Sequence, residues 1–245
     1  MPGRAFVDCH SHVCPSGDDG AASVAEGAFL CDDAARAGTR LLFATPHVFP
    51  HLHLTGEREA QIRASLAELR TTVGIELRLG FELTPSEHLL DEDLRRYELE
   101  GTGCALLEVP FDGPLGLFWR VGEALEAAGL RPVAAHPERT ESVLAEPALA
   151  GEIAGRGWLL QVNTTSLLGR HGPRSAALGW ELIGEGVATI VASDGHRQAR
   201  PARLDEAYEL AKTRLGENAR ALFDGTALGL ASAKPIPSRA ATPGA

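Results

Sequence analysis

The chain has 245 residues with 33 acidic and 23 basic side chains, so its formal net charge at pH 7 is -10. Apolar residues make up 44% and charged residues 23%, which is typical of a globular protein with a full core and excludes disordered, collagen-like and disulfide-rich classes. No apolar run approaches the roughly 20 residues that span a bilayer, so a membrane-embedded protein is not expected. The acidic balance argues against nucleic-acid binding, which usually needs a basic surface.

The cysteines and histidines further restrict the kind of protein that the sequence can encode. The four cysteines, Cys9, Cys14, Cys31 and Cys104, form no C-x-x-C pair and are expected to be free thiols. The first residues carry one arginine and no long apolar stretch, which does not resemble a secretory signal, so a cytoplasmic location is expected. The nine histidines are more informative, because histidine is the commonest metal ligand and carboxylates are its usual partners.

Seven short apolar runs alternate with helical segments from one end of the chain to the other. The runs cover 5–9, 40–47, 75–83, 104–111, 131–139, 158–166 and 187–196. The first helix is predicted to begin at Ser23, with Glu26 completing a capping box, and to end at Gly38. Further helices are predicted over 57–73, 115–129, 149–157, 175–186, 203–216 and 217–225.

This alternation predicts an α/β fold with a mostly parallel sheet. Near-continuous apolar runs such as A-T-I-V-A-S fit a sheet that is buried on both faces. Periodicity does not distinguish an open sheet from a barrel, but the placement of the polar residues favours a barrel. We expect one domain over 1–230, followed by a disordered tail at 231–245 that is rich in Pro, Ala and Ser.

Residues able to bind a metal lie at the end of nearly every run. They are His10 and His12, His47, Glu82, Glu108, His136, and Asp194 with His196, whereas the sixth run offers only Asn163. Because barrel strands end on a common face, this regularity predicts a polynuclear metal site. In D-C-H-S-H and S-D-G-H, the i, i+2 spacing places two side chains on one face of an extended strand. A carboxylate at the end of an apolar strand, such as Glu108, needs a cation partner, either a metal or an arginine.

Arginines follow two of these candidate ligands. Arg139 lies three residues beyond His136, and Arg200 and Arg203 follow His196. Guanidinium groups bind phosphate through two parallel hydrogen bonds, while metals neutralise its other oxygens. The pattern therefore predicts an anionic phosphoryl substrate. No role is assigned to the remaining histidines, His51, His53, His88 and His171.

In this order, the motifs resemble the polymerase and histidinol phosphatase (PHP) superfamily. Within it, the chain is similar to the bacterial tyrosine-protein phosphatases of the CpsB/CapC type, which regulate capsule and exopolysaccharide synthesis. The motifs that carry the resemblance are D-C-H-S-H, S-G-D-D-G, A-T-P-H, L-G-F-E, L-L-E-V-P-F, A-H-P-E-R, L-Q-V-N and A-S-D-G-H. The resemblance covers about 6–230 and implies a distorted, TIM-barrel-like, seven-stranded β/α barrel that holds two or three divalent metals.

The resemblance also implies which residues hold the metals and the phosphate. The ligands fall into three groups: His10, His12, Glu82 and Asp194; Glu82, Glu108 and His136; and Asp19, His47 and His196, with Asp18 as the alternative to Asp19. The phosphate-binding arginines are Arg139 and Arg200, with Arg203 as the alternative to Arg200. The expected metal is Mn²⁺, with Fe²⁺ or Zn²⁺ as alternatives, because such donor sets accept all three.

The implied activity is hydrolysis of protein phosphotyrosine by a metal-bridging hydroxide, with the tail of a bacterial tyrosine kinase as the partner. A cysteine-dependent mechanism is excluded, because no cysteine here is followed by an arginine six residues later. Two alternatives stay open: a phosphatase of small phosphate esters such as histidinol phosphate, and a non-catalytic regulator that binds the kinase tail. A metal-dependent amidohydrolase is disfavoured, because both lysines lie outside the apolar runs.

Overall fold

Strands and helices alternate along residues 5–230, the part of the chain that the computed structural model describes. The strands are β1 (Phe6–Asp8), β2 (Thr39–Ala44), β3 (His47–Val48), β4 (Glu76–Leu79), β5 (Glu82–Leu83), β6 (Cys104–Glu108), β7 (Arg131–Ala135), β8 (Leu159–Asn163) and β9 (Ile190–Ala192). The helices are α1 (Val24–Arg36), α2 (Gly56–Thr72), α3 (Gly116–Ala127), α4 (Glu141–Ala145), α5 (Ala148–Gly155), α6 (Thr164–Leu167), α7 (Pro173–Gly184) and α8 (Asp205–Leu215). The tail predicted to be disordered, 231–245, lies outside the described residues.

All pairings between these strands are parallel, and they form two sheets. The first has the order β1-β2-β4 and the second the order β3-β5-β6-β7-β8-β9. The α/β class with parallel sheets is therefore confirmed, whereas the closed seven-stranded barrel is not. An isolated parallel bridge between Ser11 and Gly195 joins the chain beyond the ends of β1 and β9.

Two predicted runs are each divided between the two sheets, which explains why the structure has more strands than the seven predicted. The run 40–47 gives β2 and β3, and the run 75–83 gives β4 and β5. Pro46 interrupts the first run because it has no N–H to donate to a ladder. At the second break, a Cβ on Gly80 would lie 2.4 Å from Cδ2 of Leu99, so the buried Leu99 side chain would have to move to admit any other residue.

The predicted cap of the first helix is present at α1. The Ser23 hydroxyl accepts the N–H of Glu26 at 3.2 Å, and the Glu26 carboxylate accepts the N–H of Ala22 at 2.8 Å. Gly38, with φ of 104°, turns the chain into β2. The segment predicted as a last helix, 217–225, is instead a 3₁₀ helix over Gly216–Leu222. Gly216, with φ of 61°, ends α8, and the chain continues in 3₁₀ geometry, which is frequent at the end of an α-helix.

The strands are buried on both faces, as their apolar sequences predict. Alternate residues of β2 pack on opposite sides, so that Leu41 and Phe43 join an inner cluster while Leu42 and Ala44 pack with the helices. All four cysteines are free and buried. Among the described residues, no helix combines the length and apolar character that crossing a membrane requires. The strands are therefore mostly apolar, and the polar side chains of interest lie near the strand ends.

Candidate metal centre

The nine predicted ligands come together in space: His47 and Glu82 begin β3 and β5, Glu108 ends β6, and the other six lie in connecting segments. They form three groups in which the candidate ligand atoms lie within 4.8 Å of one another. Cluster A contains His10, His12, Glu82 and Asp194; cluster B contains Glu82, Glu108 and His136; cluster C contains His12, Asp19, His47 and His196. Clusters A and B have the composition that the resemblance implies. Cluster C differs from the expectation, because His12 belongs to it as well as to cluster A.

Two ligands lie on strained backbone. His136 and Asp194, which follow β7 and β9, have φ of 39° and 49°, in the left-handed region that costs a non-glycine residue about 1–3 kcal/mol. Backbone hydrogen bonds hold both turns: His136 N–H donates to the Gln161 carbonyl at 2.8 Å, and Asp194 N–H donates to the His10 carbonyl at 2.9 Å. Such strain is common at functional sites, where the surrounding structure maintains it.

Glu82 lies where the three clusters meet. Its Oε2 is 3.0 Å from His10 Nε2, 3.1 Å from His12 Nε2 and 3.1 Å from His47 Nδ1. Its Oε1 is 2.9 Å from His136 Nε2, and the Nε2 atoms of His10 and His12 are 3.2 Å apart. Two imidazole nitrogens at that distance beside a shared carboxylate oxygen fit ligands that converge on a cation. The donor set of imidazole nitrogen and carboxylate oxygen suits Mn²⁺, Fe²⁺ or Zn²⁺.

The buried carboxylates require positive charge at this place. Burial lowers the pKa of His10, but the charges of Glu82 and Asp194 outweigh it and raise that pKa to about 9. Burial also lowers the pKa of His12, whereas hydrogen bonds to Asp194 and Glu82 raise it to about 9. Burial raises the pKa of Glu82, yet His10 and His47 hold it well below its usual value. Protons or divalent ions can supply this charge, and unpaired burial of the carboxylates would be costly.

Strand β8, whose run carries no strong ligand, orients two ligands of cluster A. Gln161 Oε1 lies 2.9 Å from His10 Nδ1, and the Gln161 amide donates to Asn163 Oδ1 at 2.8 Å. The Asn163 amide in turn donates to Asp194 Oδ2 at 2.8 Å. Because the Gln161 oxygen can only accept, His10 carries a proton on Nδ1, and Nε2 is the nitrogen that would give up its proton to bind a metal in cluster A. Sequence reasoning overlooked Gln161, although a polar residue in the middle of L-L-Q-V-N was a signal.

Asp194 links the candidate ligands to the arginines. Its Oδ1 is 3.5 Å from Nε2 of both His10 and His12, whereas its Oδ2 accepts from Arg139 Nη1 at 3.0 Å. Arg200 Nη1 is 3.7 Å from the same Oδ2, and its guanidinium also contacts His196. Two guanidinium groups therefore stand beside the clusters and face the same space.

The structure also separates the alternatives that the sequence left open. Asp19 Oδ1 lies 3.4 Å from His47 Nε2, whereas Asp18 accepts the N–H groups of His47 and Gly20 and so stabilises the turn. Arg203 pairs with Asp205 at 2.7 Å and does not line the pocket above the clusters. Asp19 and Arg200 are thus the residues that the fold brings to the site.

One pocket of about 270 Å³ opens onto all three clusters. It is lined by Asp19, His47, Phe49, Glu82, Glu108, Phe111, His136, Arg139, Asp194, His196 and Arg200. The four histidines to which the sequence assigns no role do not line this pocket. His53 stacks on His88, His51 stacks on Phe49, and His171 Nδ1 lies 3.0 Å from Ser166 Oγ.

Comparison with known proteins agrees with this geometry. The family described as "Capsular polysaccharide synthesis, CpsB/CapC" matches residues 6–224. The chain belongs to this family. It is 28% identical over 202 residues to the tyrosine-protein phosphatase YwqE of Bacillus subtilis, which covers 78% of this chain and 77% of the relative. It is 27% identical over 232 residues to the tyrosine-protein phosphatase CpsB of Streptococcus agalactiae serotype III, covering 89% and 95%.

A solved structure is similar as well. The match belongs to crystal structures of YwqE from Bacillus subtilis and CpsB from Streptococcus pneumoniae, described as unique metal-dependent tyrosine phosphatases. The TM-score is 0.78 at 26% identity, and the match covers 92% of this chain and 94% of that chain. The family resemblance drawn from the motifs is therefore confirmed.

Proposed function

We propose that this protein is a metal-dependent protein-tyrosine phosphatase whose substrate is the tail of a bacterial tyrosine kinase that controls capsule or exopolysaccharide synthesis. The observation that carries the proposal is that members of three clusters of candidate metal ligands line one pocket together with two arginines. The names of the relatives support tyrosine phosphate as the substrate, and the family description supports the link to capsule synthesis. The proposal assigns this activity to a single domain over 1–230 in the cytoplasm.

The proposal gives the metals to the three clusters. Clusters A, B and C would hold two or three divalent ions, with Mn²⁺ as the first candidate and Fe²⁺ or Zn²⁺ as alternatives. When bound, such ions lower the pKa of water from about 16 toward about 7 and neutralise phosphoryl oxygens. Glu82 would bind ions in clusters A and B, because it belongs to both, and its Oε2 also lies 3.1 Å from His47 Nδ1 of cluster C.

The arginines would bind the phosphoryl group. Arg139 and Arg200 lie on the Asp194 Oδ2 side of the pocket, which keeps their guanidinium groups fixed and directed at its interior. Fixed donors of this kind stabilise the charge that develops on the equatorial phosphoryl oxygens. The leaving phenolate has a conjugate acid of pKa about 10, so its departure needs less proton donation than that of an alkoxide. The arrangement therefore suits aryl esters.

The test is hydrolysis by metal-stripped protein with and without added Mn²⁺, measured on phosphotyrosine peptides and on a panel that includes histidinol phosphate and nucleotides. We expect phosphotyrosine to be the best substrate, Glu82→Ala to lose turnover, and the exposed-site control Glu152→Ala to retain it. Full activity after exhaustive chelation would contradict the metal mechanism. Faster hydrolysis of a small phosphate ester than of phosphotyrosine peptides would contradict the proposed substrate. Peptide binding without any turnover would favour the non-catalytic regulator.

A further inference from the structure

Two residues that line the pocket have no role in binding metal or phosphate. Seven of the described lining residues are candidate ligands and two are arginines; the other two are Phe49 and Phe111. Once the ligands and arginines engage the phosphoryl group, the organic part of a bound ester is left facing these two rings. They are the apolar part of the lining and therefore the surface that distinguishes one leaving group from another.

Phe111 is held in place although it is exposed. Its side chain is 42% exposed, whereas most large apolar side chains of the described chain are buried. Its carbonyl accepts the N–H of Glu141 at 2.9 Å, and its ring stacks on His136 with centroids 5.4 Å apart and 14° between the planes. The Arg139 guanidinium carbon lies 4.9 Å from the ring centroid. Aromatic side chains that line a pocket together with a few convergent polar groups are typical of ligand sites.

Phe49 occupies a matching position beside cluster C. Its ring stacks on His47 with centroids 4.2 Å apart and 21° between the planes, and its carbonyl accepts the N–H of Leu52 at 3.0 Å. Each phenylalanine therefore packs on the imidazole of a ligand, Phe49 beside cluster C and Phe111 beside cluster B. The two rings are fixed to the site itself and do not belong to a separate hydrophobic patch.

We propose that Phe49 and Phe111 form an aryl subsite that binds the aromatic ring of the substrate while the clusters and arginines bind its phosphoryl group. Aromatic rings in offset-stacked or edge-to-face contact attract each other beyond the effect of buried area. The inference rests on the proposed phosphatase function and adds the residues that select aryl over alkyl esters. Phe111 is the main determinant, because its ring is exposed and also borders Arg139.

The test compares two ligands that differ only in the organic group, phenylphosphonate and methylphosphonate, titrated calorimetrically into Mn²⁺-loaded protein. Phe111→Ala should raise the Kd of phenylphosphonate by about tenfold, since an aromatic pair and its buried area account for a change of that order. The Kd of methylphosphonate and of inorganic phosphate should change by less than about twofold. Phe111→Tyr, which keeps the ring, should restore phenylphosphonate binding, and Phe49→Leu should weaken it less than Phe111→Ala does.

A matched control is Phe29→Ala, because Phe29 is 49% exposed on α1 and does not line the pocket. An equal loss of both phosphonates in Phe111→Ala would overturn the subsite and show that Phe111 acts through Arg139. Unchanged binding of both, or equal affinity of the wild type for both, would also overturn it. Binding is measured without turnover, so a protein that hydrolyses no ester but prefers phenylphosphonate would refute the proposed function and leave the subsite intact.

Discussion

The amide pair on β8 gives the sharpest prediction about the metal centre. Replacing Gln161 with leucine removes the acceptor for His10 Nδ1–H, which lies 2.9 Å away in a fully buried site. A buried donor left without a partner costs about 1–3 kcal/mol. That penalty is smallest if the His10 proton moves to Nε2, but this tautomer loses the lone pair that faces cluster A. Gln161→Leu should therefore weaken metal binding by about 10-fold to 100-fold, the usual effect of losing an outer hydrogen bond to a ligand.

Calorimetric titration of Mn²⁺ into metal-stripped protein measures this effect directly. Gln161→Glu is the matched variant, since its carboxylate still accepts from His10 while the donor to Asn163 is lost. We expect Gln161→Glu to bind Mn²⁺ more tightly than Gln161→Leu and to leave the thermal unfolding midpoint closer to that of the wild type. Wild-type Mn²⁺ affinity in a folded Gln161→Leu protein would refute the reasoning, because His10 would then need no partner for its second nitrogen.

Three further predictions concern the same site. Arg139→Ala should lower kcat/KM for a phosphotyrosine peptide by about a hundredfold, as the loss of a fixed charge-stabilising donor does elsewhere, whereas Arg203→Ala should leave it unchanged. The pKa values of His10 and His12 in cluster A are raised to about 9, so a metal ion must displace protons from them at neutral pH. Mn²⁺ affinity should therefore rise from pH 6 to pH 9, and calorimetry in buffers of different ionisation enthalpy should detect released protons at pH 7. Mn²⁺ binding without proton release would contradict this prediction. Gly195→Ala should reduce the unfolding free energy by about 1–3 kcal/mol and weaken Mn²⁺ binding, because its Cβ would lie 2.4 Å from Ala202 Cα. Circular dichroism melts and Mn²⁺ titration measure the two effects, and an unchanged unfolding free energy and Mn²⁺ affinity would contradict the prediction.

The candidate ligands were predictable because a parallel sheet has a simple geometric rule. Its strands end at a common edge, so residues that directly follow apolar runs, such as Glu108 and His136, are brought together whatever the details of the helices. The i, i+2 spacing of His10 and His12 adds that both side chains lie on the same face. Neither inference depends on register or loop conformation. Asp19 is the exception, because it lies in an acidic turn and only the family resemblance named it as a ligand.

Features set by tertiary contacts were not predictable in this way. Arg58, on helix α2, is only 8% exposed and donates to the carbonyls of Ser16, Leu52 and His47, which fixes the segment that carries His47. Helical periodicity places Arg58 on the same face as Ile62 and Leu66, but an arginine is usually exposed, so the sequence does not show which carbonyls would bury it. The break of the second run, between β4 and β5, likewise lies at Gly80, which packs against Leu99, a residue that local sequence does not relate to it.

The negative charge of the chain is compatible with an anionic substrate because charge is distributed unevenly over the fold. Four of its 33 acidic residues, Asp19, Glu82, Glu108 and Asp194, are candidate ligands whose charge divalent ions would offset locally. Asp194 presents one oxygen to the histidines and the other to Arg139, so the same carboxylate holds both halves of the site. With ions on one side of Asp194 and guanidinium groups on the other, the pocket is cationic where the phosphoryl group would bind. The net charge of -10 therefore excludes a broad basic surface but not a small pocket that binds phosphate.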